Sequence, residues 1–154
     1  MSEVRKIRSQ IRRAFEGEAW HGPSVKELLA NVTAEQAAAH PIAGAHSIWE
    51  LALHIGAWED IARLRIQGGG QNTPTTEEDW PPVAETSEQA WRATLEELER
   101  GNRALREAVE QLDPARLEEI IPVHNYSIYF LLHGVVQHSL YHAGQIALLK
   151  KALG

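Results

Sequence analysis

The sequence predicts an all-α protein, a four-helix bundle, and three observations predict it. Four long segments carry apolar residues three and four positions apart, the period of a helix with one buried face. Breaks rich in Gly and Pro separate those segments. Alternation of apolar and polar residues, the mark of a half-buried strand, never lasts more than a few positions. With 154 residues, 44% hydrophobic and 23% charged, the chain has the size of one domain, residues 1–154, and the composition of a folded one. No internal repeat or low-complexity tract divides it.

The first helix is expected from about Ser2 to Trp20 on the stripe Val4, Ile7, Ile11 and Ala14, with Gly22-Pro23 as its break. Ser24 and Glu27 then read as a capping box for a short helix through Leu29. Thr33 with Gln36 opens another turn, closed at His40-Pro41. Ser47 and Glu50 repeat the capping box at the head of the second long helix, which runs to about Gln67, where Gly68-Gly69-Gly70 stops it. Residues 68–86 are rich in Gly, Pro, Thr and acids and hold Trp80-Pro81-Pro82. They form a long crossover between the second and third helices, or a functional lid. The third helix spans about Ser87 to Gln111 on Trp91, Leu95, Leu98, Asn102, Leu105, Val109 and Leu112; Gly101 inside it costs about 1 kcal/mol relative to Ala. The fourth covers about Ser127 to Leu153, roughly 40 Å at 1.5 Å per residue. Connections other than those after helices one and two are expected to be short.

Composition narrows the function. No run of 18 apolar residues offers a membrane span, and MSEVRKIRSQIRRAF lacks the pattern of a secretory signal. Cysteine is absent, which removes disulfides, thiolate ligands and a cysteine nucleophile together, so a cytoplasmic protein with no membrane partner is expected. A net charge of −6 points away from nucleic acid. Against that background, eight His and five Trp stand out.

Along the fourth helix the stripe Ile128, Leu131, Val135, His138, His142, Gln145 and Leu149 steps by three and four, which puts two histidines one turn apart on the inward face. His54 lies among Leu51, Ala57, Trp58 and Ile61 on the second helix, and it too is expected inside. Burying imidazoles without partners costs on the order of 1–3 kcal/mol each. A hydrogen-bonded core histidine is the plain alternative at each position. A shared divalent ion is the sharper one, because neutral imidazole nitrogen is a good ligand for Zn, Ni or Cu. Competing metal and phosphate motifs are missing. There is no His-Glu-x-x-His, the one Glu-x-x-His (Glu18 to His21) falls at a helix end, and Gly68-Gly69-Gly70 has no following Lys.

Two segments, HSIWELALHIGAWEDIARLRIQG (His46 to Gly68) and GVVQHSLYHAGQIALLKKALG (Gly134 to Gly154), resemble the metal-binding helices of the DinB/YfiT-like superfamily. WHGPS (Trp20 to Ser24) and Asp79-Trp80-Pro81-Pro82 are similar as well, and the resemblance extends along nearly the whole chain. It implies a four-helix bundle with a three-histidine site for a divalent metal, often Zn or Ni, and frequently a homodimer. Carried over, the metal ligands are His54, His138 and His142. Some members of that superfamily transfer low-molecular-weight thiols such as bacillithiol, isomerise maleylpyruvate with mycothiol, or act as metal-dependent hydrolases, and many have no assigned substrate.

The expected function is therefore that of a metal-dependent enzyme of small molecules, with thiol transfer ahead of hydrolysis. A non-catalytic metal- or ligand-binding stress protein, whose ion only ties helices together, is the alternative. Glu50, one turn before His54, and Gln145, nearly one turn after His142, are candidates to accept an imidazole N–H and fix its tautomer. His21, Glu50 and Tyr141 are the candidate catalytic groups: His21 as acid or base at the rim, Tyr141 as donor to a bound anion. Plainer roles stand beside them: a helix-end histidine, a capping acid and an interface tyrosine. Asn102 is expected either to set the bundle register or to contact substrate. Trp80 is expected to cap the pocket or to bury itself in a dimer contact. Trp20, Trp49, Trp58 and Trp91 are read as packing residues, and His40, His46, His124 and His133 as loop or surface residues.

Overall fold

The computed structural model describes residues 1–70 and 72–154; Gln71, within the expected 68–86 connection, lies outside the described residues. Four helices carry the fold: α1 (Glu3–Glu16), α4 (Ile48–Ile66), α6 (Glu88–Glu110) and α7 (Ile128–Leu153). Three short ones accompany them, α2 (Val25–Leu29), α3 (Ala34–Ala38) and α5 (Thr76–Asp79). No helix among the described residues is long and apolar enough to cross a membrane.

The helix starts follow side-chain chemistry. Ser24, Thr33, Ser47 and Thr75 each accept from a backbone N–H three residues on, and Glu27, Gln36, Glu50 and Glu78 return the bond to the cap. Each box satisfies two N–H groups that the helix cannot. The fourth of these, at α5, builds a helical turn inside the long connection where sequence periodicity offered none.

Two boundaries differ from expectation. The first helix stops at Glu16 rather than near Trp20, because Gly17 (φ 146°) and Glu18 (φ 62°) leave helical space ahead of the Gly22-Pro23 break. The connection after α6 is not short. It holds a 3-10 helix (Pro114–Glu118) and a two-stranded hairpin, β1 (Ile120–Ile121) against β2 (Tyr126–Ser127). Gly101 sits inside α6 without breaking it. Gly56 on α4 has a structural reason: a Cβ there would stand 3.3 Å from Leu98 Cδ1, so its absence lets α4 and α6 close up.

The core is two apolar clusters. One gathers Val25, Leu29, Ile48, Trp49, Leu51, Ile55, Trp91, Leu98, Ile146 and Leu149 around the two short N-terminal helices. The other gathers Ile7, Ile11, Ala62, Ile66, Leu105, Val109, Ile128 and Leu132 at the opposite end of the bundle. A polar layer separates them. On α4 the interval from Ile55 to Ala62 holds buried Glu59, on α6 the interval from Leu98 to Leu105 holds buried Asn102, and on α7 the interval from Val135 to Ala143 holds His138, Ser139 and His142.

Asn102 accordingly meets no solvent-facing pocket. Its Nδ2 donates to Glu59 Oε1 at 3.0 Å, while Glu59 Oε2 and Asn102 Oδ1 have no partner. Burial pushes the Glu59 carboxyl up to about 8, against the opposing hydrogen bond of Asn102 and the charge of Arg106. The acid is neutral in the folded chain at pH 7 and ionised in the unfolded one, so folding takes up a proton. Its stabilising contribution is complete below the unfolded value of 4.5 and is lost as pH rises through about 8. Glu59→Gln, which has the same shape without a proton to lose, should therefore gain on the wild type as pH rises from 5 to 9. Urea unfolding midpoints measured across that range test it; a constant difference would contradict the neutral acid.

Candidate metal centre

His54 comes from α4, and His138 and His142 from α7. Their Nε2 atoms point at one another: His138 Nε2 lies 3.0 Å from His54 Nε2 and 3.1 Å from His142 Nε2. One nitrogen from each ring falls within 4.8 Å of the others. The site sits at the margin of the core. On α4 the buried stripe is Leu51, Ile55, Glu59, Ala62 and Ile66, with Ala57, Trp58 and Ile61 only half-buried beside it. On α7 the buried seam runs through Val135, Ser139, His142 and Ile146, while His138 and Gln145 are half-buried at its edge. His54 and His142 are nonetheless only 5% and 6% exposed, because the connection between α4 and α6 folds over them.

Hydrogen bonds on the far side of two rings fix where the protons are. His54 Nδ1 lies 2.6 Å from the backbone carbonyl of Asp79, which can only accept, so Nδ1 carries the proton and Nε2 presents a lone pair. His142 Nδ1 donates to Gln145 Oε1 at 2.6 Å with the same result. Two lone pairs thus face His138 Nε2, and that atom in a neutral ring has at most one proton to share between them. A cation satisfies all three at once. Imidazoles held about 2.0–2.1 Å from a tetrahedral ion stand about 3.3 Å apart, close to the separations found. The trio fits a divalent metal, and its donor set of three neutral nitrogens suits Zn, Ni or Cu.

Electrostatics agree. Burial pulls the His54, His138 and His142 imidazoles below their ordinary value, His138 to about 4. Repulsion from His142 and His54 adds to the fall at His138, while the Asp79 carbonyl partly offsets it at His54. All three rings are neutral at pH 7, the form in which they ligate.

The surroundings come largely from the crossover. Trp80 lies flat on His54, ring centroids 3.7 Å apart and planes within 4°, and its other face stacks on His46 at 3.7 Å and 12°. Asp79 Oδ1 accepts from Trp58 Nε1 at 2.7 Å, which ties the segment back to α4. Arg65, buried beneath, stands 5.7 Å over the Trp58 ring. Tyr141, 67% exposed, sets its ring edge-on to His142 at 5.1 Å, on the side away from the buried seam. A cleft of about 720 Å3 lies on another face of α4, between it and α6; Pro81, Val83 and Glu85 roof it, and none of the three histidines lines it.

Other candidates find different places. Glu50 caps α4 through Ser47 N at 2.6 Å and pairs with His40 Nε2 at 3.1 Å; no hydrogen bond joins it to His54, whose proton goes to Asp79 instead. His21 is exposed and donates to the Pro23 carbonyl at 3.2 Å, in the turn after α1, with no bond to the trio. His46, read from sequence as a surface residue, is the outer support of Trp80. Trp58, read as packing, holds Asp79. Asp79 enters the sequence reading only within the Asp79-Trp80-Pro81-Pro82 resemblance and without a role, because its decisive atom is a main-chain oxygen, which leaves no side-chain signature.

The sequence model of the DinB superfamily matches the chain over residues 20–146. Among curated proteins and solved structures nothing matches.

In metal-free protein the depressed His138 value sets a pH dependence of the opposite sense to that of Glu59. The unfolded chain binds the His138 proton near 6.5 and the folded one only near 4, so stability falls as pH drops through that window. His138→Gln should gain on the wild type as pH falls from 6.5 to 4 in the presence of chelator, as read by thermal melts. An unchanging difference would show the ring to be solvated.

Proposed function

The chain belongs to the DinB superfamily, and on that premise we propose that it is a divalent-metal protein in which His54, His138 and His142 hold the ion and a small molecule reacts at its open side. The convergence of three Nε2 atoms, two with their protons committed elsewhere, carries this reading. Zn or Ni is the proposed metal. When bound, such an ion supplies Lewis acidity: it polarises a carbonyl, lowers the pKa of water toward about 7, or keeps a thiol as thiolate.

The chain's own residues do the rest. Asp79 and Gln145 keep the Nδ1 protons of two rings and so keep the lone pairs directed inward. Trp80 excludes water from the face of His54. Tyr141, exposed with its ring beside His142, is the proposed donor to an anionic group on a substrate. With no cysteine in the chain, thiol chemistry here requires a low-molecular-weight thiol as co-substrate, and we rank its transfer to an electrophile ahead of hydrolysis. The proposed setting is a cytoplasmic homodimer with neither nucleic acid nor membrane as partner. The exposed Phe130, Tyr141 and Leu148 along one side of α7 favour the dimer. The second reading, an ion that only braces α4 against α7, is favoured by two observations: Trp80 closes flat over His54, and the cleft of about 720 Å3 lies elsewhere.

Untagged protein purified without a nickel column should carry close to one equivalent of divalent metal by elemental analysis. His142→Ala should carry almost none. Restoring metal to the chelated wild type at a thousandfold excess over Kd should stabilise it by about 4 kcal/mol, a gain that His142→Ala lacks. Turnover of electrophile-plus-thiol or ester panels that vanishes with the metal supports catalysis; a full thermal gain with no turnover supports the bracing role.

A further inference from the structure

His138 and His142 share one helix, and α7 itself sets their separation. His54 is the ligand that must be aimed across a helix interface, and a loop does the aiming. The Asp79 carbonyl fixes the direction of Nδ1 but leaves the ring free to rock about that bond. Trp80 removes the remaining freedom, since its indole lies parallel to the imidazole within 4°. The indole is itself pinned on its second face by His46, whose Nδ1 stands 3.6 Å from Glu50 Oε2, and Glu50 is fixed by the Ser47 N–H. A continuous stack thus runs from the cap of α4 to the proposed ligand.

We propose that Trp80 is a positioning residue for the metal centre: its planar face, backed by His46, holds the His54 ring in ligating orientation. The inference rests on the three-imidazole reading. It goes further in assigning metal affinity to a loop residue that touches no metal.

Packing alone would be served by any apolar side chain of similar bulk, whereas positioning by a stacked plane requires an aromatic ring. Trp80→Phe and Trp80→Leu separate the two. Affinity for Co(II), measured by competition with a chromophoric chelator, should fall about 10–100-fold in Trp80→Leu and stay within about threefold of wild type in Trp80→Phe. The visible Co(II) absorption bands should shift in the Leu variant only. Melts in chelator, which report on packing without metal, should drop similarly for both. Equal Co(II) affinities in the Phe and Leu variants would overturn the proposal while leaving the metal site standing. A wild type that binds no Co(II) would remove the site, and the proposal with it.

Discussion

The bond from His54 Nδ1–H to the Asp79 carbonyl, 2.6 Å long, is the constraint from which the site follows. A main-chain oxygen has no proton to give, so the tautomer of the ring is decided by covalent structure rather than by pH. With the proton committed outward, the lone pair is committed inward, toward His138 and His142. The same bond draws residues 75–80 down onto α4, brings Trp80 over the ring and delivers Asp79 Oδ1 to Trp58. Residues 75–80 become a cover for the site because their backbone satisfies a buried donor.

The polar layer across the middle of the bundle gives that site a place. Apolar clusters at both ends supply most of the burial that drives folding, at roughly 25 cal/mol per Å2 of apolar surface. Between them, Glu59, Asn102 and His142 occupy buried positions that Leu or Ile would fill at lower cost, with His138 at the edge of the layer and His54 beside it. The two halves of the layer solve the problem of buried polarity differently. Glu59 does so by keeping its proton, and the imidazoles by turning the lone pairs of His54 and His142 toward His138 Nε2.

Much of this was legible in the sequence, for identifiable reasons. Capping boxes at Ser24, Thr33 and Ser47 announce themselves because a short side chain and an acid or amide three residues later satisfy stranded N–H groups. The convergence of His54, His138 and His142 is visible in helical spacing, although of the two α7 histidines expected mid-seam only His142 lies there and His138 stands at its edge. What stayed hidden depends on contacts between segments remote in sequence. Glu50 sits one turn from His54 and looked like its partner; the actual partner is 25 residues away, across a loop. His46 lies before the helix, where no periodicity applies, and its role exists only because Trp80 arrives between it and His54. The end of the first helix was misjudged because a conformational break at Gly17 and Glu18 outranked the apolar pattern.

Trp80 is followed immediately by Pro81 and Pro82, and then by the residues that roof the cleft between α4 and α6. Two consecutive prolines fix their φ angles and make a stiff, extended rod. The cover of the imidazole cluster and the ceiling of the cleft therefore belong to one short segment whose backbone has few free rotations between Trp80 and Val83.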